Sequence, residues 1–107
     1  MPTIRIDYDN QKMQDADILA LSNAVQKIVS EITGIEDTFV YAQSPHIKVK
    51  VAPVEVFVQM SASKIPDIDG LFSQIQTQLS NWKKENNFQF PINLTLMPMQ
   101  WKFEIDI

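Results

Sequence analysis

The second residue of the chain is a proline, at the head of Met1-Pro2-Thr3-Ile4-Arg5-Ile6-Asp7-Tyr8. Removing the initiator methionine, which happens readily before a small residue, would leave a secondary amine at the start of a strand. An ordinary α-amino group titrates at about 7.7–8.0, and apolar walls or nearby cations lower that value by penalising the charged form. A nitrogen kept neutral in this way can lift a proton from carbon beside a carbonyl and return it elsewhere. Met-Pro starts also occur in chains without such chemistry, so the surroundings of Pro2 have to decide.

Few other residues offer chemistry. Arg5 shares the Pro2 strand and could bind an anionic substrate or lower the amine's pKa, although strict alternation turns it to the opposite face; an ion pair with Glu55 is the simpler expectation. Lys64 stands just before a helix, near the expected substrate region, where a solvated lysine would look the same. Lys48 and Lys50 alternate with Ile47, Val49 and Val51, as charges guarding a sheet edge do, and such an arm could reach over a neighbouring pocket. His46 is the only histidine and lies in a loop with no second ligand or orienting partner. The pairs Asp15/Asp17 and Asp67/Asp69 fall where they complement helix dipoles. Trp82 and Trp101 read most simply as core or interface filler.

Composition narrows the classes. The 107 residues suit a single domain spanning 1–107, and 45% hydrophobic with 21% charged residues is ordinary globular material. A net charge of −4 disfavours nucleic acid and anionic membrane as partners. There are no cysteines, which removes disulfides and thiolate catalysis, and the two glycines leave no phosphate-cradling loop. No metal or cofactor is expected. With no secretory pattern and no membrane-length apolar run, the cytoplasm is the default location.

Something must position Pro2. After the first strand, Ile18, Leu21, Val25, Ile28, Val29 and Ile32 recur at helical spacing, with Asp15 as the candidate cap and Gly34 as the stop. Phe39–Gln43 reads as a strand and Ile47–Val51 as an edge or hairpin arm. Val54–Met60 is a further strand, and Pro66-Asp67 opens a second helix with the stripe Ile68, Leu71, Phe72, Ile75, Leu79 and Trp82. Ile92–Leu96 is a strand interrupted by Pro98, and Trp101–Ile107 alternates cleanly enough to close the chain as another. The pattern is β-α-β twice, an internal duplication. The fold class expected is therefore α+β: a four-stranded mixed sheet with two helices on one face, a short hairpin and a C-terminal edge strand. Ile4, Ile6, Val54, Val56, Val58, Ile92, Leu94 and Leu96 would pack under the helices. Thr3, Arg5, Glu55, Phe57, Gln59, Asn93 and Thr95 would form the other face, a mixed surface suited to packing against further sheets in an oligomer.

Pro2 in Met1-Pro2-Thr3-Ile4-Arg5, the helix exit Glu31-Ile32-Thr33-Gly34, the stretch Pro53-Val54-Glu55-Val56 and the tandem β-α-β units together resemble the tautomerase superfamily. The resemblance spans nearly the whole chain. It is greatest to the double-length branch that includes macrophage migration inhibitory factor and 5-carboxymethyl-2-hydroxymuconate isomerase, and to a bacterial tautomerase-like family of unknown function. It implies a homotrimer with sheets around a central channel, active sites at subunit boundaries, and Pro2 as catalytic base. Lys12 lies in the turn where 4-oxalocrotonate tautomerase places a carboxylate-binding arginine. That enzyme's second arginine falls near Val40, and the lysine of the cytokine-like branch is replaced by Ile35. The tyrosine and asparagine of that branch's last core strand fall near Asn93 and Thr95.

Three readings follow. The first is a cofactor-independent tautomerase or isomerase acting through Pro2 on an enol or keto acid, with Lys12, Arg5, Lys64, Asn93 and Thr95 as candidate substrate contacts. The second is a non-catalytic trimeric binding or scaffold module on the same fold. The third is a ferredoxin-like ligand-sensing domain, which the same element order also permits. Strand order separates the third from the others.

Overall fold

A computed structural model describes residues 2–102 and 104–107. The elements run β1 (Thr3–Tyr8), α1 (Asp15–Thr33), β2 (Phe39–Gln43), β3 (Val54–Ser61), a 3₁₀ turn (Ala62–Lys64), α2 (Ile68–Glu85) and β4 (Asn93–Met99). The sheet order is β2-β1-β3-β4. β1 pairs parallel with β2, β3 parallel with β4, and β1 antiparallel with β3 at the centre. No strand intervenes within either β-α-β half, which rules out the ferredoxin-like arrangement and leaves the α+β sheet with two helices.

Each helix forms where its stripe and its ends agree. In α1, Ile18, Leu21, Val25, Ile28 and Val29 are buried, and Gly34 closes the helix at φ 71°, a conformation that favours glycine. The N-cap is Gln14, not Asp15: the Gln14 amide donates to Asp17 Oδ2 at 3.2 Å, and Asp15 lies in the first turn. Asp67 caps α2, its Oδ1 accepting from the Gly70 amide at 3.1 Å. Ile75 and Leu79 bury its stripe, whereas Ile68 is exposed, being too near the helix start to reach the sheet. Trp82, Phe88 and Phe90 contact one another in sequence, tilted and then edge to face, with ring centroids 5.3 and 5.5 Å apart, and pack against the core beyond the helix.

Both helices cover the even-numbered sheet face. Ile4, Ile6, Val54, Val56 and Val58 are fully buried in one cluster with the helix stripes, and Ile92, Leu94 and Leu96 pack at its margin. The odd-numbered face has no covering layer. There Arg5 pairs with Asp7 (Nε to Oδ2, 3.3 Å) and sits 4.5 Å from the centroid of Phe57, its neighbour on β3. The expected Arg5–Glu55 pair does not form. Glu55 stands opposite Asp7, while Phe57 directly faces Arg5.

Three further expectations fail for physical reasons. Ile47–Val51 is not a strand, so there is no hairpin: Lys48 turns inward onto Asp9 and Asn10, leaving Ile47 and Val49 exposed. Pro98 does not interrupt β4, because an edge strand tolerates the loss of one amide donor. The tail from Trp101 forms no strand among its described residues, and Ile105 and Ile107 lie exposed, because alternation alone does not supply a pairing partner. Phe103, part of the expected last strand, lies outside the described residues.

Candidate active site

The sheet register places Pro2 at a defined end of the molecule. Thr3 faces Phe39 on one side and Gln59 on the other. One step outward, Pro2 therefore lies between Thr38 and Met60. All three are buried. The Pro2 carbonyl accepts from the Phe39 amide at 3.2 Å, which fixes the residue's backbone against β2. With Met1 attached, the Pro2 nitrogen is a tertiary amide. Without Met1 it becomes an amine beside the buried Thr38 and Met60.

The α1–β2 connection, which carries Thr38, is tied by side chains. Ser30 and Thr38 both donate their hydroxyls to the Ile35 carbonyl, at 2.8 and 2.9 Å. Thr33 donates to the Val29 carbonyl at 2.7 Å and accepts from the Ile35 amide at 3.3 Å. Beside this connection a shallow groove of about 280 Å³ runs between the end of α1 and the start of α2, lined in part by Thr33, Lys64, Asp67 and Gln74. Pro2 is not among its lining residues.

The other candidates are spread apart within one protomer. Lys64 is exposed and follows the end of β3, so it shares Pro2's end of the sheet. Arg5, Asn93 and Thr95 lie on the uncovered face, with Thr95 in the same row as Arg5 and Phe57. Lys12 is exposed in the turn beyond the other end of β1. A six-residue strand rises about 20 Å, so Lys12 and Pro2 of one chain cannot hold the same small molecule.

That far end has its own structure. Lys48 Nζ donates to Asp9 Oδ1 at 3.0 Å and to Asn10 Oδ1 at 2.7 Å. Asn10 and Asp9 amides donate to Ser44 Oγ and to the Pro53 carbonyl, at 3.2 and 3.4 Å, so the 44–53 segment is strapped across the end of β1. The Gln11 amide, at 3.0 Å, and the Lys48 ammonium hold the Asp9 carboxyl below the usual carboxylate range.

Sequence reasoning overlooked Thr38 and Met60 as neighbours of Pro2. For Thr38 the available signal is its position directly before the β-rich run Phe39–Gln43. Among the described residues no three His, Asp or Glu side chains group to hold a metal ion, and no helix is long and apolar enough to cross a membrane.

No family model matches the sequence, and no curated protein sequence does. Solved structures match closely in shape. Malonate semialdehyde decarboxylase, studied as wild type, as a mutant with its first-position proline changed to alanine, and in an inactivated form, aligns over 98% of this chain and 92% of its own at 15% identity, with a TM-score of 0.66. A fused 4-OT, an asymmetric trimer, covers 97% and 92% at 12% identity with a TM-score of 0.69. A macrophage migration inhibitory factor-like protein from Entamoeba histolytica covers 96% and 95% at 14% identity with a TM-score of 0.62. The chain thus has the fold of the tautomerase superfamily, as its resemblance implied.

Proposed function

We propose that the protein is a cofactor-independent tautomerase or isomerase whose base is the Pro2 amine, freed by loss of Met1. The observation that carries this reading is the burial of Pro2 at a sheet end where its carbonyl is already fixed by Phe39. In the favoured direction the neutral amine takes the hydroxyl proton of an enol acid. The oxygen closes to a carbonyl, and the enol's carbon–carbon π electrons take a proton from the prolinium. The amine returns to its starting state, so no metal, cofactor or co-reactant is consumed. Burial favours the neutral base, and the fixed backbone limits the motion needed to present it.

The active unit in this reading is a homotrimer. The uncovered face with Phe57 and Met97, the exposed Phe39 and Tyr41 on edge strand β2, and the unpaired tail with Ile105 and Ile107 all offer apolar surface that one chain does not cover. The fused 4-OT is itself a trimer. Assembly would let Lys12, Arg5, Asn93 or Thr95 of one protomer approach Pro2 of another, while Lys64 serves from the same chain.

One observation favours the second reading, a trimeric binding module without catalysis. Arg5 is engaged by Asp7 and Phe57, and Lys12 is remote, so a single chain brings only exposed cations to Pro2. Intact mass on protein made at native levels, followed by enol-to-keto conversion of phenylpyruvate by the methionine-free form, separates the two. Turnover by that form and none by the methionine-retaining form supports the isomerase. Ligand binding by both forms with turnover by neither supports the module.

A further inference from the structure

Two stretches of the chain alternate apolar and charged residues with a period of two, and neither pairs with a strand among the described residues. In the strap, Ile47-Lys48-Val49-Lys50-Val51 carries lysine at every second position; in the tail, Glu104-Ile105-Asp106-Ile107 carries a carboxylate there instead. Ile47, Val49, Ile105 and Ile107 are all exposed. Lys50, Glu104 and Asp106 are exposed as well and form no ion pair among the described residues. Laid side by side in extended form, the two segments match on both faces: branched apolar side chains meet on one and opposite charges on the other, the pairs that stabilise neighbouring strands. Two straps or two tails would set like charges together, which disfavours self-pairing.

The fold keeps the two segments apart within one chain. The strap follows edge strand β2 and crosses the end of β1 remote from Pro2, held there through Ser44, Lys48 and Pro53. The tail follows the opposite edge strand, β4, whose Met99 is in register with Ser61 at the Pro2 end. Strap and tail thus leave opposite edges and opposite ends of the sheet, about 20 Å apart along the strands. A strap on one copy and a tail on the next make a head-to-tail contact, the kind that closes into a ring when its rotation allows.

We infer that the strap of one protomer pairs with the tail of the next, Lys50 meeting Glu104 or Asp106, and that this contact carries the neighbour's Lys12 and Lys50 to the Pro2 end. The inference rests on the homotrimer reading above for the number of copies in the ring. Lys48 is engaged by Asp9 and Asn10, and its inward turn presents Ile47 and Val49 as the pairing face. Asp106 stands at φ 58° in the single chain, a left-handed conformation that aspartate tolerates better than most residues, and pairing draws it into extended backbone. The Pro2 end then gains two ammonium groups that its own chain holds at the far end of the sheet.

The chain contains no cysteine, so introduced pairs report without background. Val49→Cys and Ile105→Cys are made separately and together, and the full-length proteins are oxidised gently at micromolar concentration; Ile107→Cys in place of Ile105→Cys samples the next register on the same face. Mixing the strap variant with the tail variant should give a covalent dimer, and the combined variant a ladder on denaturing gels that stops at three chains. Lys50→Glu should weaken assembly about fivefold per contact in sedimentation, the scale of one cross-strand charge pair, and adding Glu104→Lys with Asp106→Lys should restore it. A trimer that gives no strap-to-tail cross-link at either tail position, or that Lys50→Glu leaves unchanged, overturns the inference and leaves the homotrimer reading intact. A ladder stopping at another number keeps the pairing and removes the trimer. Wild-type protein that sediments as a monomer and variants that do not cross-link remove both.

Discussion

Lys48 Nζ lies 3.0 Å from Asp9 Oδ1, and this contact reverses the polarity of the strap between β2 and β3. The lysine points into the protein, where only 15% of its side chain is accessible, and Ile47 and Val49, at 84% and 102% exposure, point out. Replacing Lys48 by Met leaves Asp9 with the Gln11 amide as its remaining close donor. Tm is expected to fall by roughly 2–5 °C, with the Ile47 and Val49 methyl signals shifting together as the strap loosens.

The same pair sets a pH dependence. Gln11 and Lys48 lower the Asp9 pKa in the folded state. Its contribution to stability is therefore fully present above the unfolded-state value and is lost as pH falls through the lowered folded-state value. The strap methyl signals should hold steady near neutrality and move only as pH falls below the ordinary aspartate value of 3.8. Asp9→Asn should abolish that acidic transition.

Asp67 makes a separate and smaller contribution. Its carboxylate accepts from Gly70, and a Cβ at Gly70 would collide with it. Asp67→Ala is expected to cost about 1 kcal/mol, as N-cap deletions do, measured by urea denaturation. Ile4→Ala, on the buried face of central strand β1, should cost about 2–5 kcal/mol.

These residues also show how far the sequence was legible. Ile18 through Val29 and Gly34 are correctly placed because helical periodicity and a left-handed stop are local signals, and β2 is placed for the same reason. The strap is misread because alternation in Ile47–Val51 says only that lysines and β-branched residues oppose one another. Which side faces the protein depends on Asp9, 39 positions away from Lys48. The stretch from Trp101 alternates as regularly, but alternation does not say which neighbour a strand would pair with, and its described residues pair with none. At the candidate site, Pro2 is visible in the sequence as a residue type. Its neighbours Thr38 and Met60 come from the sheet register, which local patterning does not specify.

The exposed tail tests the proposed assembly. Ile105→Asp combined with Ile107→Asp alters two side chains that touch little within the chain, so the Tm of the isolated protomer should change little. If these residues pack between protomers, sedimentation should show trimer giving way to smaller species at micromolar concentrations. Unchanged sedimentation would place the contacts elsewhere.

The proline nitrogen is the agent of the proposed chemistry, and comparing methionine-free wild type with a correctly folded Pro2→Ala variant tests it most directly. The measurement is the rate of phenylpyruvate ketonisation, followed by ultraviolet absorbance at saturating substrate. A drop of about a hundredfold or more, in keeping with the loss of a positioned general base, is the expected result. Equal rates in the two proteins would contradict the assignment of Pro2 as the base.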